Sequence, residues 1–165
     1  MRFLASLVVA TVMLVAGPAA AQAAWTNFKS VDYGFSVDLP GEPAVTHPPI
    51  EQTVDTAQFT VAGDGEAFMI MIVQFRPGEA ATPGALDTFL DGVVTGANGR
   101  ETSRETTRVS GKDARKAAIE FESGAKGSAV AFIHGDRAYI AVGMRAQNVG
   151  SADVERMVAS FRLMG

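Results

Sequence analysis

The two histidines are the side chains best suited to move a proton or hold a metal ion, since the chain has no cysteine. His47 lies beside Pro48 and Pro49, and His134 lies two residues before Asp136. A zinc site needs three or four ligands at recognisable spacing, and two distant histidines do not supply them. His134 and Asp136 could form part of an acid–base pair. Both are also ordinary turn residues, and we favour the turn.

Nucleophilic catalysis would need a serine or threonine beside a base. The sequence has no Gly-x-Ser-x-Gly elbow. Ser128 and His134 are the nearest serine–histidine pairing, but Ser128 lies in a predicted strand, which argues against a triad. Asp87 and Asp91 are spaced i and i+4 on a predicted helix, where paired carboxylates could do acid–base work. The apolar stripe of that helix lies opposite them, so we expect both in water.

Three glycine clusters, at 63–65, 124–127 and 134–135, match neither a dinucleotide-binding fingerprint nor a P-loop. They are typical of hairpin turns, because glycine accepts positive φ at little cost. We therefore predict no catalytic, cofactor-binding or metal-binding residue, and no cofactor.

Sulfur and aromatic side chains permit two interpretations each. Met69, Met71 and Met144 could line a soft binding surface, but methionines on strands buried on both faces are expected in the core. An aromatic and proline set could form a contact patch or an arm covering a sheet. Its members are Trp25, Phe28, Tyr33, Pro48 and Pro49.

Residues 1–23 are predicted to be a cleavable signal peptide. Arg2 supplies a basic start, residues 3–16 are apolar except for one Ser and one Thr, and small-x-small cleavage sites end at Ala21 and Ala23. We favour cleavage after Ala23. The apolar run is shorter than the roughly 20 residues of a membrane-spanning helix, and the absence of cysteine excludes a lipoprotein.

Residues 24–165 are predicted to be one domain, long enough for a hydrophobic core without disulfides. Export places it in the periplasm, with membrane contact only through the signal peptide. The net charge of −4 and the expected compartment make nucleic acid and anionic membranes poor partners. Nothing in the pattern specifies an oligomeric state.

Hydrophobic periodicity predicts strands, a helix, more strands and a last helix. Residues 35–39 alternate apolar and polar, residues 40–50 hold four prolines and predict loop or edge, and residues 67–73 are all apolar. A strand apolar at both parities must be covered on both faces. Further strands are predicted at 25–30, 52–62, 100–109, 114–122, 128–133 and 138–144, and helices from Thr82-Pro83 to Asn98-Gly99 and from near Ser151.

The fold class predicted from this order is α+β, because hairpin-linked strands dominate and only two helices interrupt them. The two doubly buried strands call for helices or another layer on each side of one sheet. The segment Tyr33-Gly34-Phe35-Ser36-Val37-Asp38-Leu39-Pro40-Gly41-Glu42-Pro43 resembles the Mog1/PsbP-like family of small bacterial proteins. That resemblance covers most of residues 25–163. It implies an α/β/α sandwich, a single antiparallel β-sheet with helices packed on both faces.

The family's better-known members act by binding partner proteins, and the resemblance carries over no catalytic motif. We therefore predict an exported, non-enzymatic protein-interaction or accessory module whose partner is another envelope protein. The alternatives are a small-ligand-binding periplasmic protein, an enzyme with an unrecognised site, and a structural envelope component. An exposed apolar patch would favour the interaction module, whereas a closed apolar pocket with convergent polar groups would favour a ligand carrier or enzyme.

Overall fold

The structure is a computed structural model that describes residues 25–51, 53–63, 65–79, 82, 84–146 and 152–164. The predicted signal peptide over 1–23 lies outside the described residues, as do Pro83 and Ser151 at the predicted helix starts. None of the described helices is long and apolar enough to cross a membrane.

The described residues form ten strands and two helices. In chain order these are β1 (Thr26–Ser30), β2 (Phe35–Leu39), β3 (Ala44–Thr46), β4 (Asp55–Gly63), β5 (Glu66–Gln74), α1 (Ala85–Gly96), β6 (Gly99–Val109), β7 (Lys112–Phe121), β8 (Lys126–His134), β9 (Arg137–Arg145), α2 (Ala152–Ser160) and β10 (Arg162–Leu163).

The strands divide into two antiparallel sheets. The larger has the order β3-β4-β5-β9-β8-β7-β6, and the smaller has the order β1-β2-β10. Tight turns join β4 to β5, β6 to β7, β7 to β8 and β8 to β9, so the predicted antiparallel hairpins are confirmed. The polar strand β6 forms one edge of the large sheet, as predicted for residues 100–109.

The prediction of a single sheet with helices on both faces is wrong. One face of the large sheet, the α1 face, packs against α1, whereas the other, the α2 face, is covered by the small sheet together with α2. Seven strands span about 30 Å at roughly 4.8 Å per strand, while one helix is about 10 Å wide. Two short helices cannot cover such a sheet, so a second sheet supplies the missing layer and the fold is mostly β.

Double burial of β5 is confirmed. Phe68, Ile70 and Ile72 enter the core on the α2 face, while Met71 and Val73 enter the core on the α1 face. Strand β9 is also buried on both faces. Tyr139 enters the core on the α2 face, while Ala138 and Ile140 enter the core on the α1 face. Because both faces are apolar, these two strands form the centre of the structure.

Several predicted boundaries shift by one to three residues, and two of these shifts have a visible local cause or consequence. Helix α1 begins at Ala85 rather than at Thr82-Pro83, because Gly84 precedes it with φ +78° and ends the helical conformation there. Strand β4 begins at Asp55 rather than at Gln52, and Val54 is an exposed side chain before it. Strand β2 has the predicted bounds.

Candidate functional site

The histidines do not assemble a site. His47 and His134 are both exposed. The Asp136 carboxylate accepts a hydrogen bond from the backbone N–H of Gly78 at 2.8 Å, so it ties a hairpin turn to a neighbouring loop. Within the described ranges, no group of three or more His, Asp or Glu side chains could hold a metal ion.

Ser128 and His134 lie six residues apart on the same strand, β8. At roughly 3.3 Å per residue their separation is about 20 Å, so they cannot exchange a proton directly. The structure excludes this pair as the core of a triad.

Asp87 and Asp91 are not simply solvated. Both bind the Arg104 guanidinium, at 3.1 Å from Asp87 and 2.6 Å from Asp91, and Glu101 contacts the same group. The hydrogen bonds that the Arg104 guanidinium donates to Glu101 and Asp91 raise the pKa of Arg104. These carboxylates therefore fasten α1 to β6, a structural role.

The aromatic set belongs to the covering layer. Trp25 meets Phe68 edge-on at 5.5 Å between ring centroids, and Phe28 lies 5.5 Å from Phe59. Tyr33 also packs on Phe59. Of the three methionines, Met71 is buried, whereas Met69 and Met144 are half-buried.

A row of charged residues crosses the α2 face at the end of the sheet where α2 begins. Strand register aligns one residue from each of five neighbouring strands directly opposite the next. The row reads Glu66, Arg145, Lys126, Glu120, Arg100. Arg100 forms an ion pair with Glu120, and Lys126 lies 3.8 Å from the same residue. Across the five strands, the charges of this row therefore follow the order acid, base, base, acid, base.

The adjacent row holds small residues instead. Gly143, Ser128, Ala118 and Ser103 are aligned by the same register across four strands. Ser128, Ala118 and Ser103 have short side chains and form the floor of a polar groove with a volume of about 370 Å³, whereas Gly143 is buried. Among the described residues, Glu155 of α2 lines one side of this groove.

The far wall of the groove comes from α2 and the next row. Lys116 on β7 donates hydrogen bonds to Glu155 of α2 at 2.7 and 2.9 Å. Glu105 on β6 lies opposite Lys116 and also lines the groove. The groove is therefore bounded by charged side chains on both sides, and it is open to solvent.

Among the described residues, the buried Ser128 Oγ at this end has no hydrogen-bond partner, whereas the buried Glu66 carboxyl shares a hydrogen bond with Asp153 through its other oxygen. Glu66 is 9% exposed and Ser128 is 8% exposed. Buried polar groups are normally paired, so an orphan in a groove suggests a group that a ligand would satisfy. Ser128 lines the groove itself.

Burial raises the pKa of Glu66 to about 7, and the charge of Asp153 in α2 adds to the rise while Arg145 opposes it. A carboxyl group that is partly protonated near neutral pH compensates Arg145 only in part. Glu66 therefore balances the positive charge of Arg145 only in part, whereas Lys126 lies 3.8 Å from Glu120.

The sequence pattern indicated Ser128 only as a possible catalytic serine, and it did not indicate Glu66, Lys126 or Arg145. Each of the missed residues begins or ends a strand beside a turn. A signal existed, because Glu66 shares the parity of Phe68 and Ile70, which made it an acid on a buried face. Strand order was needed to bring it beside Arg145.

No protein family model matches the chain, and no curated protein matches it. Among solved structures, cyanobacterial PsbP (CyanoP) from Synechocystis sp. PCC 6803 is similar, with a TM-score of 0.62 and 11% identity over 91% of this chain and 98% of that chain. At this identity the likeness establishes the fold alone. The chain has a PsbP-like fold, which confirms the predicted resemblance at that level.

Two further structures are similar at lower scores. One from Bacteroides thetaiotaomicron has a TM-score of 0.46 and 16% identity, covering 84% of this chain and 48% of that chain. A protein of unknown function from Pseudomonas aeruginosa has a TM-score of 0.41 and 10% identity, covering 74% of this chain and 83% of that chain. Both scores are too low to support an inference about this chain.

Proposed function

We propose that this chain is an exported, non-enzymatic binding protein that holds a partner protein of the cell envelope in the polar groove beside α2. The observation that carries the proposal is the groove itself. Its floor of small residues leaves room for another chain, and the Ser128 hydroxyl on that floor has no partner among the described residues. A surface that the fold leaves unsatisfied is suited to bind.

The PsbP-like fold supports the same proposal. The resemblance of residues 33–43 to the Mog1/PsbP-like family implies action through partner proteins, and the likeness to CyanoP extends over nearly the whole of both chains. Fold does not by itself imply function. The proposal therefore depends on the groove, with the fold as secondary support.

The shape of the groove favours a polypeptide over an enclosed small molecule. Small-molecule sites occupy roughly 300–1,000 Å³ and bury most of the ligand's surface. The cleft of about 370 Å³ has that volume, but its walls carry charged side chains such as Glu105, Lys116 and Arg145 rather than the mostly apolar lining of a small-molecule site. A partner segment lying across the strands would fill such a groove while the rest of the partner stays outside.

Affinity capture from envelope extract tests the proposal when a groove variant is paired with a matched control. Arg145→Glu reverses a charge in the groove. Arg108→Glu makes the same change on the opposite face, where Arg108 is 72% exposed. We expect one protein to be enriched by the wild-type chain and by Arg108→Glu, and lost with Arg145→Glu.

Two results would contradict the proposal. One is capture of the same proteins by all three forms. The other is a small molecule that co-purifies with the wild-type chain and is absent from Arg145→Glu, which would instead support the ligand-carrier alternative.

A further inference from the structure

We propose that the groove recognises a carboxylate, carried by an acidic side chain in an extended segment of the partner protein, at a corner formed by Lys126, Ser128 and Arg145. This inference rests on the proposed function and adds the chemistry of the contact. Lys126, Ser128 and Arg145 all line the groove, and the buried Ser128 hydroxyl has no hydrogen-bond partner among the described residues.

Two positive charges lie side by side in the charged row. Lys126 and Arg145 lie directly opposite each other on β8 and β9, so their Cβ atoms are about 5 Å apart. Like charges in that position are destabilising. The acids of the row lie outside this pair, Glu66 beside Arg145 and Glu120 beside Lys126. A carboxylate placed between the two cations would restore alternation.

The Ser128 hydroxyl is the third polar group of the corner. Ser128 lies two residues after Lys126 on β8, on the same face of the sheet, and directly opposite Gly143 on β9. Gly143 has no side chain, so β9 supplies no side-chain partner for the Ser128 hydroxyl from the position directly opposite it. A carboxylate oxygen accepts hydrogen bonds only, which matches an O–H donor together with ammonium and guanidinium donors.

The remaining cation of the groove, Lys116, is held more closely by its carboxylate partner than Lys126, which lies 3.8 Å from Glu120. Lys116 donates two hydrogen bonds to Glu155, so it is not part of the corner. A bound carboxylate is therefore expected to lie toward the charged row rather than toward α2. The floor residues Ala118 and Ser103 continue the groove away from the corner, where the backbone of an extended segment can pass.

A peptide pair tests this without knowledge of the partner. The full mature protein, labelled with ¹⁵N, is titrated with the blocked peptide Ala-Ala-Glu-Ala-Ala, and separately with the same peptide carrying Gln instead of Glu. We expect saturable shifts of the Arg145 side-chain N–H and the Ser128 amide with the Glu peptide only. Affinity should fall at least fivefold in Lys126→Gln and in Arg145→Gln, and remain unchanged in Arg108→Gln.

Equal responses to the Glu and Gln peptides would overturn the inference, as would binding that survives both corner substitutions. Saturable binding of inorganic phosphate at these residues without binding of the Glu peptide would also overturn it. Groove-dependent capture of a protein together with a failed Glu titration would refute the carboxylate contact and leave the proposed function standing. A positive titration with the Glu peptide and no captured protein would support the carboxylate contact and refute the proposed function.

Discussion

Lys126 and Arg145 face each other across β8 and β9 on a sheet face that the rest of the fold covers only in part. Two like charges held in direct register weaken a sheet, typically by a few tenths of a kcal/mol to about 1 kcal/mol. A protein under selection for stability alone would place an acid in one of these positions. The proposed carboxylate contact depends on this pair, because a bound acid between the two cations would relieve their repulsion.

Ser128→Ala should separate binding from stability. Its Oγ is buried and has no partner among the described residues, so removing it is expected to raise the free energy of unfolding by about 1 kcal/mol while weakening carboxylate binding. Ser160 is the matched control. Its Oγ donates to the Met157 carbonyl and accepts from the Asp38 N–H, both at 2.8 Å, so Ser160→Ala should lower stability by about 1 kcal/mol. Urea denaturation measures both, and equal destabilisation would contradict the assignment.

Glu66 should make stability depend on pH. Its pKa in the folded protein is about 7, above its ordinary value of 4.5, so the folded state holds a proton that the unfolded state has released. The resulting stabilisation is complete below about pH 4.5 and is lost as the pH rises through 7. Glu66→Gln should remove that loss and raise stability near pH 8 by about 1–3 kcal/mol.

Chemical denaturation between pH 4 and pH 8 measures the Glu66 effect. The control is Glu79→Gln, a change at an exposed glutamate, which should keep the wild-type profile. A Glu66→Gln profile parallel to that of the wild type would show that Glu66 titrates normally in the folded protein.

Arg104→Leu should destabilise the fold by about 1–2 kcal/mol, because Asp91 and Glu101 lose their shared cation while Asp87 keeps Arg115 at 3.5 Å. The Arg104 side chain is only 24% exposed. The exposed pair of Arg108 and Asp113 provides the comparison, and Arg108→Leu should cost less than about 1 kcal/mol. Thermal unfolding at low and high salt measures both, and similar losses in the two variants would be evidence against the network.

Gly127→Ala should be strongly destabilising, by about 2 kcal/mol or more. A Cβ at this position would collide with the Gly143 carbonyl and lie 3.0 Å from the Phe121 ring. Gly63→Ala is the control, because a Cβ there has no heavy atom within 4 Å. That change should be neutral or slightly stabilising. Circular dichroism melts measure the difference, and tolerance of Gly127→Ala would show that β8 and β9 are farther apart.

Expression with export should yield a mature chain that begins at Ala24, because Ala21-Gln22-Ala23 satisfies the small-x-small rule. Intact mass and N-terminal sequencing of the exported protein measure this. Cleavage after Ala21, the other small-x-small site, would move the boundary by two residues. Retention of residues 1–23 in the exported protein would refute the signal peptide.

Local patterns predicted the individual strands well. The alternation of Phe35–Leu39 and the unbroken apolar run of 67–73 correspond to β2 and to the centre of β5. Glycine turns predicted the hairpins because the required positive φ is a local property, seen at Gly65, Gly124 and Gly135. The start of α1 was displaced for a related reason, since the left-handed conformation of Gly84 is not specified by the Thr-Pro pair before it.

The sequence by itself determined the elements, the turns and the doubly buried strands, because each depends on residues close together in the chain. Only the tertiary structure decided that β1, β2 and β10 leave the main sheet to form a second layer. The alternating pattern of a strand gives one face to a core without stating which sheet it joins. Strand register likewise placed Lys126 opposite Arg145, which is 19 residues away in the chain, and Ser128 opposite Gly143, which is 15 residues away. The candidate site is therefore a product of pairing between strands, which no local pattern records.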